Sequence, residues 1–133
     1  MSYLEELTRE QFLANIENQR TRESYLTALN QFDVFCNQSF DKEGDFVIKD
    51  VKNRIIQAQD DCGIYRLLQS FVNWLNEDHL ELKIKSRNHT RPMVKRHPTT
   101  VKNYLSCVKQ YVEEFWNIDI IDRKYHKRVT IFH

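Results

Sequence analysis

The sequence predicts an all-α fold, a compact bundle of five or six helices. Three observations carry this expectation. Apolar residues recur at three- and four-residue intervals through several stretches long enough to be helices. Only 2 Gly and 2 Pro are present, too few for a succession of tight hairpin turns. Hydrophobic residues make up 41% and aromatics 12% of the 133 residues, which suits one domain with its own core and argues against intrinsic disorder.

Thr8-Arg9-Glu10-Gln11 has the form of a capping box, with Leu7 and Phe12 placed for the accompanying hydrophobic staple. A short helix over about residues 9–18 follows, offering Phe12, Leu13 and Ile16 to a core. The polar break Asn18-Gln19-Arg20 leads to Thr21, the expected cap of a second helix that runs to about Asn37. Tyr25, Leu29, Phe32 and Cys36 line one stripe of it. The stretch DKEGD (41–45) reads as a loop.

A third helix over about 47–59 places Val47, Val51, Ile55 and Ile56 on its apolar side, and Asp60-Asp61-Cys62-Gly63 reads as a boundary. The fourth helix, over 64–78, has Ile64, Leu67, Leu68, Phe71 and Leu75 on its stripe. Its other face, Arg66, Gln69, Ser70, Asn73 and Asn76, is nearly uncharged, and suits either solvent or a DNA groove.

The longest stripe belongs to a helix over 99–116, where Val101, Tyr104, Leu105, Val108, Tyr111, Val112 and Phe115 share one side. This helix is expected to be the structural centre. Pro98 suits a first turn, and Thr99 or Thr100 can cap it. Beyond Trp116, the sequence offers Ile118, Ile120 and Ile121 as core contacts. A basic cluster of Arg123, Lys124, His126, Lys127 and Arg128 then surrounds Tyr125, and VTIF (129–132) reads as extended.

Net charge is only +1, but it is unevenly distributed. Residues 1–80 hold 8 Lys/Arg against 14 Asp/Glu, a net of −6, while residues 81–133 hold 12 against 5, a net of +7. The basic run 83–97 feeds directly into the N-terminus of the helix over 99–116, where the dipole also favours an anion. That arrangement describes a phosphate-backbone contact. Lys83, Lys85, Arg87, Arg91, Lys95, Arg96, Thr99, Thr100, Lys102, Asn103 and Lys109 are the candidate DNA ligands, with Arg20 and Arg22 contributing from the other edge of the bundle.

Cys36, Cys62 and Cys107 are odd in number and far apart, without CxxC or zinc-finger spacing, and read as free thiols of a reducing compartment. No cofactor or metal is expected, and no paired-carboxylate or Ser-His-Asp constellation stands out. The acidic N-terminus has no apolar signal core, and no apolar run approaches a membrane span. A cytoplasmic, nucleoid-associated protein with no membrane partner is expected.

The pattern Thr21, Tyr25, Leu29, Phe32 and Phe35, then a weaker helix, then Thr100-Val101, Leu105-Ser106, Val108-Lys109 and Tyr111 resembles the core-binding domain of tyrosine recombinases. The similarity to archaeal members of that phage-integrase family spans about residues 21–129. It implies a helical bundle over 21–128, preceded by an N-terminal helical extension (1–20) and followed at 129–133 by the start of a linker. Many members close the domain with Asn-Pro, whereas here Ile118 follows Asn117.

The resemblance implies a DNA-binding half of a clamp whose other jaw, a catalytic domain, belongs to the same parent chain; other protomers on DNA are further partners. Family chemistry uses a tyrosine nucleophile with an His-x-x-Arg motif, both in the catalytic domain. Here His89-Thr90-Arg91 and His126-Lys127-Arg128 are one residue too short. The chain by itself is therefore expected to bind duplex DNA in integration and recombination without catalysing them. Two other readings stand beside this one: a helical protein-interaction module anchored by Trp74 or Trp116, and a helix-turn-helix regulator.

Overall fold

The computed structural model describes residues 8–77 and 96–131, and every regular element among them is a helix. Six follow in order: α1 (Arg9–Ala14), α2 (Gln19–Phe40), α3 (Gly44–Ala58), α4 (Cys62–Asn76), α5 (Pro98–Glu114) and α6 (Asp122–Arg128). They form a compact bundle, as the periodicity predicts.

The capping box at α1 is complete. The Thr8 hydroxyl accepts the Gln11 N–H at 3.2 Å, and the Gln11 carboxamide oxygen accepts the Thr8 N–H at 2.8 Å. Leu7, the other half of the expected staple, lies outside the described residues. α2 starts earlier than Thr21, because Asn18 is its cap: Asn18 Oδ1 accepts the Thr21 N–H at 3.0 Å. It ends at Phe40, where Asp41 turns left-handed at φ 59°.

α3 begins inside the stretch that reads as a loop, and the reason is tertiary. The Gly44 N–H donates to Asp33 Oδ1 at 3.1 Å, and a Cβ at this position would lie 2.5 Å from that oxygen and 2.7 Å from the Phe32 ring. Only glycine allows α2 and α3 to approach so closely.

α2 is the hub of the bundle, packing against α1, α3, α4 and α5, while α5 packs on α2 and α4. This corrects the expectation of a centre on the fifth helix alone. α2 is longer, at 22 residues, and buries Ala28, Leu29, Phe32, Phe35 and Cys36. From α5, Val101, Leu105, Val108, Tyr111 and Val112 are buried, and Tyr104 and Phe115 form half-buried edges of the same stripe. Phe32, Phe35, Phe71 and Trp74 make a continuous aromatic cluster, with Phe32 edge-on to Phe71 at 5.2 Å. Ile118 and Ile120 enter the core as expected, whereas Ile121 and Ile56 stay exposed.

α6 forms over a sequence, DRKYHKR, with one aromatic and no aliphatic residue, so docking rather than periodicity makes it a helix. Lys109 Nζ stands 4.9 Å over the Tyr125 ring, Lys124 pairs with Asp61 at 2.9 Å, and the Arg128 guanidinium lies 5.6 Å over Tyr65. Beyond it, Val129 is buried and the chain runs extended against α4. Gln69 binds both backbone groups of Thr130, accepting its N–H at 2.6 Å and donating to its carbonyl at 3.0 Å; Asn76 donates to the Ile131 carbonyl at 2.9 Å.

Candidate nucleic-acid interface

Of the expected DNA ligands, Lys83, Lys85, Arg87, Arg91 and Lys95 lie outside the described residues. Three others are engaged within the protein. Arg96 donates to the Leu75 carbonyl at 3.1 Å and to Gln31 Oε1 at 2.9 Å, and stacks 5.2 Å over Trp74. It clamps the start of α5 to α4 and α2. Arg22 donates to the Ile16 carbonyl at 2.7 and 3.1 Å, and so holds the α1–α2 connection. Lys109 pairs with Glu113 at 3.2 Å while covering Tyr125.

The start of α5 also differs from its expected form. His97, rather than Thr99 or Thr100, is the N-cap, and its Nδ1 accepts the Thr99 N–H at 3.1 Å. The His97 carbonyl takes the amides of Thr100 and Val101, and Pro98 has none to offer. The amides that would receive an anion are thus committed inside the turn, and any anion here must be bound by side chains.

Such side chains do gather nearby. Arg20, Glu23, Ser24 and Thr27 of α2 face Thr100, Asn103, Tyr104 and Cys107 of α5 across a shallow depression of about 280 Å³. The fold therefore brings Arg20 onto the same surface as Thr100 and Asn103, not to a separate edge. Thr99 and Lys102, one turn apart on α5, are exposed. Hydroxyls, a carboxamide and a guanidinium are the donor types that ligate phosphate oxygens. Arg20 is also badly placed for helix stability, since a cation in a first turn opposes the helix dipole and α2 has no acid there.

The fold gathers a second set of cations that the sequence shows only in separate places. Arg54 (α3), Arg66 (α4) and Arg128 (α6) line two adjoining depressions of about 650 and 570 Å³. Each is separated from the others by a dozen residues or more of chain, so no single local run brings the three together. The amide face of α4, read as suited to a groove, is largely spent on the stretch beyond α6 through Gln69 and Asn76.

A polar cluster joins α1 to the bundle elsewhere. Arg9 holds Asp33 with both terminal nitrogens, at 2.6 and 3.1 Å, and Asp45 at 3.3 Å. The Tyr111 hydroxyl donates to Asp45 Oδ1 at 2.6 Å, and Trp116 Nε1 donates to the same oxygen at 3.0 Å. Burial and that bond to a carboxylate push the Tyr111 hydroxyl well above its ordinary range, keeping it a phenol. Trp74 is buried, with Nε1 on Gln38 at 2.9 Å, so both tryptophans read as docking anchors already serve the fold.

Asp60, Asp61 and Cys62 place potential metal-ligand atoms within 4.8 Å of one another. Asp60 already accepts the Cys62 N–H, and Asp61 is paired with Lys124, so the group has ordinary structural employment. Among the described residues, no helix is long and apolar enough to cross a membrane. Comparison with protein-family models, with curated proteins and with solved structures finds no match for the chain.

Proposed function

We propose that this chain is a DNA-binding domain of the core-binding type, gripping duplex DNA mainly through its phosphates as one half of a recombinase clamp. The supporting observation is the α2–α5 surface, where Arg20, Ser24, Thr27, Thr100 and Asn103 meet beside exposed Lys102. The basic run 83–97 immediately precedes α5 in the sequence. The hydroxyls, carboxamide and two cations of the α2–α5 surface are donor types that ligate phosphate oxygens, with Glu23 the one carboxylate in the same depression. A catalytic domain elsewhere in the parent chain would supply strand cleavage, and other protomers would share the DNA.

Arg20→Ala is the informative variant. Removing a cation from the first turn of α2 should leave stability unchanged or a few tenths of a kcal/mol higher. The same change should weaken binding to every duplex alike and flatten the log–log salt slope by about 1. Fluorescence anisotropy with a labelled duplex, alongside urea unfolding, reads both. Undiminished binding by an Arg20→Ala/Lys102→Ala double variant would remove this surface as the DNA-facing one.

A further inference from the structure

The arginines of α3, α4 and α6 form a surface that shares no lining residue with the α2–α5 depression. The larger groove runs between α3 and α4 over an apolar floor that includes Val47, Val51 and Leu67. The smaller one opens beside it, towards Arg128. Cys62, Arg66 and Ser70 belong to both, so Arg66 stands where the two join.

The local charges leave a surplus of cations. Lys42 and Asp50 neutralise each other at 2.8 Å, and Asp61 is matched by Lys124. What remains is Asp60 against Arg54, Arg66 and Arg128. Arg128 is held in place, with its guanidinium 3.3 Å from Cys62 Sγ and stacked over the Tyr65 ring, yet it stays exposed. Arg54 and Arg66 are exposed and enter no ion pair among the described residues. A guanidinium presents a fork of donors matched to phosphate oxygens, and a stacked one is pre-organised for it. Arginines strung along two joined depressions fit a ligand with repeating anions better than one with a single anion.

We infer that the α3–α4–α6 groove is a second phosphodiester-binding surface, which lets one domain hold two segments of duplex DNA. The inference rests on the reading that duplex DNA is the partner, but on different residues. It is tested by ¹H–¹⁵N NMR titration of the protein with a duplex of about one helical turn. One set of reporters is the amides of Cys62, Arg66, Ser70 and Arg128; the other is those of Arg20, Thr100 and Asn103. With duplex in excess, both sets should shift, each with its own affinity. Arg54→Ala/Arg66→Ala should abolish the first set of shifts and leave the second intact, and Arg54→Lys/Arg66→Lys should restore much of the loss.

Shifts confined to the α2–α5 set would overturn the second surface and leave the proposed function standing. Shifts confined to the Cys62–Arg128 set would make that groove the single DNA surface, overturning both the two-segment inference and the α2–α5 surface of the proposed function. No shift in either set would overturn both. A parallel titration with polyglutamate covers the protein-partner case: stronger shifts of the first set than duplex produces would make the groove a docking site for an acidic protein and end the inference.

Discussion

Arg9 is the residue on which the attachment of α1 depends. Its guanidinium is largely buried, which alone would lower its pKa, yet the bonds to Asp33 and Tyr111 and the charge of Asp45 outweigh that and hold it cationic. Removing one partner of such a group strands the others. Arg9→Ala should therefore cost about 2–3 kcal/mol, below the range for fully buried pairs because Asp33 and Asp45 keep some contact with water. A double-mutant cycle with Asp33→Ala should return a coupling above about 1 kcal/mol, and additive losses would show that the cluster is ornamental. Cys36 gives a second residue-level expectation. Burial, with Asp33 nearby, pushes its thiol up to about 12. In the unfolded chain it ionises near 8.5. A raised folded-state pKa contributes stability that is complete below the unfolded value and is lost as pH climbs towards the folded one. Stability should thus fall between about pH 8.5 and 12, less steeply in Cys36→Ala; identical alkaline limbs in urea titrations of the two proteins would contradict the buried thiol.

At the scale of elements, helix ends are where local chemistry can be improved. Gln59 closes α3 at φ 55°, donating its N–H to the Ile55 carbonyl at 2.8 Å, and a glycine would take that left-handed geometry without the Cβ strain. Gln59→Gly should raise stability by about 0.5–1 kcal/mol, net of the extra freedom glycine has when unfolded. A loss on thermal or urea unfolding would mean that the turn is not held in this form. The same ends show what the sequence could and could not convey. The stripes of α4 and α5 were legible because their apolar spacing is set by the helix itself. The sequence points to Thr21 as the start of α2, and only the Asn18–Thr21 bond shows that Asn18 caps it. Gly44 read as a loop because its neighbours at contact distance, Phe32 and Asp33, come from another helix. α6 had no stripe to read, since Lys109, Asp61 and Tyr65 hold it from outside.

For the whole molecule, the fold re-sorts a charge pattern that is one-dimensional in the sequence. Arg96 and Lys109 lie among the basic residues of the second half, yet Arg96 is drawn to Trp74, Leu75 and Gln31, and Lys109 to Glu113 and Tyr125. No local signal distinguishes them from Lys102, which remains exposed. Arg96→Ala should accordingly destabilise the domain by about 1.5–3 kcal/mol, as the loss of charged hydrogen bonds implies. Any fall in its DNA affinity should disappear once the unfolded fraction is subtracted. On the proposed DNA-binding reading, exposed Arg20 and Lys102 are cations of the α2–α5 surface available to a duplex, with the lysines and arginines of 83–95 preceding α5 in sequence. If about four to six phosphates are neutralised, the log–log salt slope should be about −4 to −5, with micromolar or weaker affinity for scrambled and natural duplexes alike. Each neutralised phosphate releases condensed counterions, so the slope counts contacts independently of how tight binding is. Anisotropy titrations across a salt series measure it directly. A slope near zero with binding retained would sink the phosphate grip, because no counterions would be leaving. A strong preference among sequences at matched salt would instead require side chains in a groove, and the exposed Asn103 beside Arg20 would be the first residue to change.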